Sequence, residues 1–94
     1  MSYHVVFTNK AKKNLASIET KQRKMILAWI GTNLENCSNP RIIEGSKQLK
    51  GTKAGWRYRV GSYRILATLK DEELTIEVVR VGHRQGVYNN LPKM

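Results

Sequence analysis

The chain has one cysteine, Cys37, two prolines and a single phenylalanine among its 94 residues. One thiol cannot close an intramolecular disulfide, which fits a reducing compartment. With His4 and His83 as the only histidines, it matches no zinc-binding spacing either. Acidic residues are also scarce: seven Asp and Glu face seventeen Lys and Arg, for a formal charge of +10 and a pI near 10.1. That imbalance disfavours cationic ligands and favours polyanions: RNA, DNA, an anionic membrane or an acidic protein. Long apolar runs are missing as well. The longest, residues 25–30, is far short of a bilayer span, and the chain opens on a strand-like segment instead of a signal peptide. Membrane is therefore the weakest of these partners, and the expected location is the cytoplasm. No repeat, linker or low-complexity tract divides the chain, so residues 1–94 are expected to form one domain.

Hydrophobic periodicity gives the order of elements. Residues 3–7 are short and rich in β-formers, and Thr8 stands where an N-cap would start a helix from Lys10. Ala11, Leu15 and Ile18 recur at helical spacing, with Lys10, Lys12 and Lys13 mostly off that stripe. Thr20 is a candidate second cap, and Ile26, Trp29, Ile30 and Leu34 carry a second helix to about Asn36. So tight a connection predicts an antiparallel helix hairpin. Residues 37–55, with Pro40, Gly45, Gly51 and Gly55, read as a long loop pinned by Ile42, Ile43 and Leu49.

From Trp56 the period becomes two. Trp56, Tyr58 and Val60 alternate with Arg57 and Arg59; Gly61 and Ser62 make a hairpin turn; Tyr63, Ile65, Ala67 and Leu69 alternate with Arg64, Leu66 and Thr68. After a turn at Asp71 and Glu72, residues 74–81 form a third β-rich run, apolar on both parities at its end, as expected of a strand buried on both sides. The fold class is α+β: an N-terminal strand, an antiparallel helix hairpin, a three-strand antiparallel meander completing a small mixed sheet, and a short C-terminal tail.

If Trp56, Tyr58, Tyr63 and Ile65 face the helices, Arg57, Arg59 and Arg64 share the opposite face. Residues 41–64 hold Arg41, Lys47, Lys50, Lys53, Arg57, Arg59 and Arg64 against one acid, Glu44, so a polyanion groove is more economical than seven solvated charges. Gly82 is expected to turn the chain out of the last strand, bringing His83, Arg84 and Tyr88 to the edge of that face. Arg80, still inside the strand, is expected to pair with Glu77 or a carbonyl. Together these groups suit phosphodiester cleavage. RNA cleavage through its own 2′-hydroxyl needs a proton removed, charge stabilised on the phosphate, and a proton given to the leaving 5′-oxygen. Arginine supplies the second of these but is a poor proton carrier, which leaves His83 as the best general acid or base. The tyrosine ring can stack on a base. This chemistry calls for no metal and no cofactor.

Leu49-Lys50-Gly51, the run from Trp56 to Arg64, Val81-Gly82-His83-Arg84 and Val87-Tyr88 resemble the RelE/ParE toxin superfamily, and specifically its RelE-like mRNA interferases, along nearly the whole chain. The resemblance implies the toxin of a type II toxin-antitoxin system, a ribosome-dependent endoribonuclease that cuts translated mRNA. It also implies a RelB-like antitoxin, with an acidic segment, that wraps the toxin in a hetero-oligomer. Arg57 and Arg59 stand where RelE proper has catalytic lysines. Arg64 resembles the phosphate-stabilising arginine, Arg84 the arginine proposed as general acid, and Tyr88 the tyrosine that orients the substrate nucleotide. Lysine gives up a proton far more easily than arginine, so His83 is expected to take over part of that role. Lys47, Lys50, Lys53, Lys12 and Lys13 are expected to bind RNA or the ribosome. Two other readings share the scaffold: a ParE-like inhibitor of DNA gyrase without nuclease activity, and a member that only binds nucleic acid or antitoxin.

Overall fold

Thr8 ends the first strand and begins the first helix. In the computed structural model, which describes residues 2–51 and 54–83, Thr8 is extended and its hydroxyl accepts from Ala11 N–H at 3.1 Å. This is the cap expected from the sequence. Strand β1 (His4–Phe7) precedes it, and helices α1 (Asn9–Ser17) and α2 (Thr20–Asn33) follow. The second cap is not Thr20. Glu19 occupies the N-cap without a side-chain bond, and Thr20 is already the first helical residue. α2 also stops short of Asn36, which lies at φ 64°, in a left-handed conformation that asparagine tolerates and that ends a helix.

Strands β2 (Ser46–Gln48), β3 (Gly55–Val60), β4 (Tyr63–Lys70) and β5 (Thr75–His83) complete a five-stranded sheet in the order β1-β5-β4-β3-β2. β1 is parallel to β5, and the other pairings are antiparallel. The α+β architecture is the one expected, with one strand more. β2 lies inside residues 37–55, read from sequence as loop, because three residues, SKQ, are too short to display a period. Ile42 does not pin that segment: it is 75% exposed. Pro40 is buried, its carbonyl accepts from Tyr58 Oη at 2.7 Å, and Ile43 packs against the core. Burial pushes the Tyr58 phenol far above its usual range, so it remains a donor to that carbonyl.

The helices cover one face of the sheet. Ala11, Leu15, Ile26, Ile30 and Leu34 meet Tyr58, Val60, Ile65, Ala67, Leu69, Ile76, Val78 and Val81 there. Trp29 and Tyr58 add a tilted ring contact at 6.0 Å. The register breaks once, between Leu66 and Ala67: Ala67 faces Val78 and Leu66 faces Arg80, so Val79 is an extra residue in β5. Such a bulge reverses the side-chain parity beyond it. Two side chains from the first helical segment hold the bulge. Thr8 Oγ1 donates to the Val79 carbonyl at 3.4 Å, and Asn14 Oδ1 accepts from Val81 N–H at 3.1 Å.

Candidate nucleic-acid interface

Residues directly opposite in an antiparallel ladder share a face, so the register shows where each cation lies. Arg59 faces Arg64, and Arg64 faces Gly82. One step away, Lys47 faces Arg57, Arg57 faces Leu66, and Leu66 faces Arg80. Alternation assigns these residues to the side away from the helices. Leu66 agrees: it is fully buried yet lies outside the helix-side core. The expected arginine face therefore exists, with Arg57, Arg59 and Arg64 together on it.

Two cations join it by routes that alternation does not reveal. Lys47 arrives on β2. Arg80 arrives through the bulge at Val79, since an unbroken β5 would turn its side chain towards the helices. Spacing was the available signal: Ile76, Val78 and Val81, separated by two and then three residues, are the buried positions of a bulged strand, not of one buried on both faces. Glu77, with a backbone carbonyl one of the two partners expected for Arg80, binds Lys70 Nζ at 3.4 Å.

The cations differ in surroundings. Arg64 is 8% exposed and donates through Nη1 to the carbonyls of Gly61 at 3.4 Å and Tyr63 at 3.1 Å, so it braces the β3–β4 turn from below. Arg59 is exposed, Arg57 is half-buried and Lys47 is exposed. Among the described residues none of these three has a carboxylate within ion-pair reach. Among the described residues Arg57 Nε is buried without an acceptor, an omission that costs about 1–3 kcal/mol. Arg41 leaves the expected groove altogether. Its guanidinium grips Asp71 at 2.8 and 3.0 Å and lies 5.9 Å from the centroid of the Trp56 ring.

Gly82 does not turn the chain out of the sheet: β5 continues through His83. Here too the bulge decides orientation. His83 faces Tyr63, with the rings edge-on at 5.8 Å, on the helix side of the sheet. The exposed imidazole is thus the neighbour of Gly82, which faces Arg64, but leaves the strand on the opposite side. The arginines and His83 straddle the same end of the sheet instead of sharing one face. Lys12 and Lys13 are exposed on α1, and Lys50 is exposed between β2 and β3. Lys53, Arg84 and Tyr88 lie outside the described residues.

The family model described as the ParE toxin of the type II toxin-antitoxin system parDE matches residues 5–88. Toxin RelG of Mycobacterium tuberculosis is 28% identical over 89 residues, which span 94% of this chain and 98% of that protein. Among solved structures, the toxin-antitoxin complex RelBE2 of the same organism aligns with a TM-score of 0.75 at 26% identity, over 89% of this chain and 93% of the other. The RelB-RelE antitoxin-toxin complex of Methanococcus jannaschii aligns with a TM-score of 0.69 at 28% identity, over 93% and 99%. A five-stranded mixed sheet under a helix hairpin, matched along this much of its length, makes the chain a RelE-like type II toxin of the RelE/ParE superfamily.

Proposed function

We propose that this toxin is a ribosome-dependent endoribonuclease that cuts translated mRNA by attack of the 2′-hydroxyl on the adjoining phosphodiester. The observation that carries this reading is the two pairs of cations set opposite one another across the ladder, Arg59 with Arg64 and Lys47 with Arg57, without a neutralising carboxylate at Lys47, Arg57 or Arg59 among the described residues. Like charges held directly opposite one another are unfavourable by themselves and become favourable when a phosphate lies over them. Arg59 and Arg64 would take the scissile phosphate and stabilise the charge that builds as the 2′-oxygen adds to phosphorus. The P–O5′ bond then breaks, leaving a 2′,3′-cyclic phosphate and a 5′-hydroxyl.

His83 is the group that would move a proton, to or from the sugar oxygens. Its place on the helix side means that the cut nucleotide must bend round the end of β4 and β5, with its phosphate on one side and a sugar oxygen reaching the other. Arg84 as general acid and Tyr88 as the ring that orients the base complete the proposed site. Lys50, Lys53, Lys12 and Lys13 would hold the surrounding RNA of the ribosome through weak, salt-sensitive contacts. A cognate RelB-like antitoxin with an acidic segment would cover this charge in a toxin-antitoxin complex, the form in which several of the solved relatives were crystallised. Within the cytoplasm such a complex would keep the toxin from ribosomes.

Mapping cleavage of a translated message by wild type, Arg64→Ala and His83→Ala tests this reading. A discrete cut that needs the ribosome, and that weakens in both variants, is expected. The match to a ParE family model favours a second reading, a gyrase inhibitor without nuclease activity. Intact message together with inhibited supercoiling would select it.

A further inference from the structure

β2 has one consequence that neither the arginine face nor the resemblance contains. Its three residues place Lys47 directly opposite Arg57, while Arg59, the next residue of β3 on that face, lies directly opposite Arg64. Two cation pairs thus lie one after the other along β3. Their separation along the strand is two residues, about 7 Å at 3.3–3.4 Å per residue, which suits one nucleotide step of an extended single strand. The first pair bridges β3 and β4 and the second bridges β2 and β3, so together they define an oblique path across the sheet. Arg57 brings a half-buried guanidinium to the second pair, and among the described residues no carboxylate neutralises it. Lys47 is exposed in the middle of an edge strand, where nothing in the core requires it.

We propose that Lys47 and Arg57 form a second phosphate-binding pair beside Arg59 and Arg64, so that this face takes two consecutive phosphodiesters of single-stranded RNA along β3. The proposal rests on the reading of the face as an RNA site, but not on cleavage. Its consequence is a minimum substrate: an RNA with one phosphodiester fills one pair, and an RNA with two fills both.

The test uses 2′-O-methyl RNA, which lacks the attacking hydroxyl and stays intact, as a dinucleotide with one phosphodiester and a trinucleotide with two. Affinity of the full chain for each is measured by NMR titration across a salt series. Wild type should bind the trinucleotide several-fold more tightly, with a steeper dependence of log K on log salt by about 0.7 for the added phosphate. Lys47→Ala and Lys47→Gln should erase both differences, costing the trinucleotide more than the dinucleotide. Combining either with Arg57→Lys should cost less than the sum of the separate losses, because the two side chains share one phosphate. A trinucleotide advantage that survives both Lys47 variants, or an equal loss for both oligomers, would overturn the second pair. Ribosome-dependent cleavage could persist in that event, so the two readings fail separately. A gyrase inhibitor that cut no message but showed the length-dependent step would keep the pair and lose the nuclease.

Discussion

The two ends of the sheet handle positive charge differently. At the β4–β5 turn, where Asp71, Glu72 and Glu73 are gathered, Arg41 is held bidentately by Asp71 and Lys70 by Glu77. At the β3–β4 turn, Arg59 faces Arg64 across the ladder, and Arg64 is occupied with the carbonyls of the turn itself. The first end pairs its cations within the protein: Tyr3 also donates to Asp71 at 2.7 Å, so one carboxylate ties together the N-terminal segment, the segment before β2 and the turn. The second end concentrates charge at a cost of about 0.2–1 kcal/mol per opposed pair. With only seven acids in the chain, neutralising one end leaves few for the other. Pairing at the acidic end thus marks cations that hold the fold, whereas Arg59, with no carboxylate in ion-pair reach among the described residues, is the cation we propose is kept for a ligand.

Substitutions should separate the two ends by what they change. The largest effect is expected at the basic end, where His83→Gln should lower cleavage of a translated message by about 10² to 10⁴ with little change in melting temperature. Arg64→Ala should lower the cleavage rate by about 10² to 10³; it should also loosen the β3–β4 turn, so Arg64→Lys, which keeps the cation, should recover part of the stability before the rate. Equal losses of rate from His83→Gln and from a charge-neutral change at the acidic end would erase the distinction.

Between the two ends lies the bulge. Asn14→Ala strands the Val81 N–H and should cost about 1–3 kcal/mol in chemical denaturation, whereas Asn14→Asp keeps an acceptor and should cost less. A destabilised Asn14→Ala protein whose His83 resonances also lose the ring-current shift from Tyr63 would show that this bond aims the imidazole; an unchanged shift would limit Asn14 to stability.

The smallest effect is expected at Asp71. Its carboxyl is held below the usual range, first by hydrogen bonds from Arg41 and then by Tyr3, whose own phenol is pushed up by donating to it. A carboxyl depressed on folding contributes stability that is complete above its unfolded value, about pH 3.9, and fades as pH falls through the lower folded value. Asp71 is 54% exposed, so screening limits the contribution to less than about 1 kcal/mol. Asp71→Asn should therefore lie slightly below wild type at neutral pH and converge with it on acidification. A constant gap down to pH 2 would mean that the charge does not matter there.

The helices and the meander are legible in the sequence because each repeats its own period often enough to be counted: Ala11, Leu15 and Ile26, Ile30, Leu34 for the helices, and Trp56 to Leu69 for two strands. Thr8 is legible because a hydroxyl at that position satisfies an orphan amide locally. Arg57, Arg59 and Arg64 are placed correctly on one face for the same local reason, the alternation of a regular hairpin. β2 is not legible. A three-residue strand carries no period, and its hydrogen-bonding partner is supplied by β3. Arg41 is misplaced for a similar reason, since Asp71, thirty residues away, claims it.

The sequence by itself determined the charge, the element order, the helix-facing core and three arginines on one side of a hairpin, because these follow from neighbours within a few residues. Tertiary structure decided which cations are neutralised and on which side of β5 its last residues lie. One added residue at Val79, held by Thr8 and Asn14, sends Arg80 to the arginine face and His83 to the other. A bulge changes parity without changing composition, so only the register against β4 can reveal it.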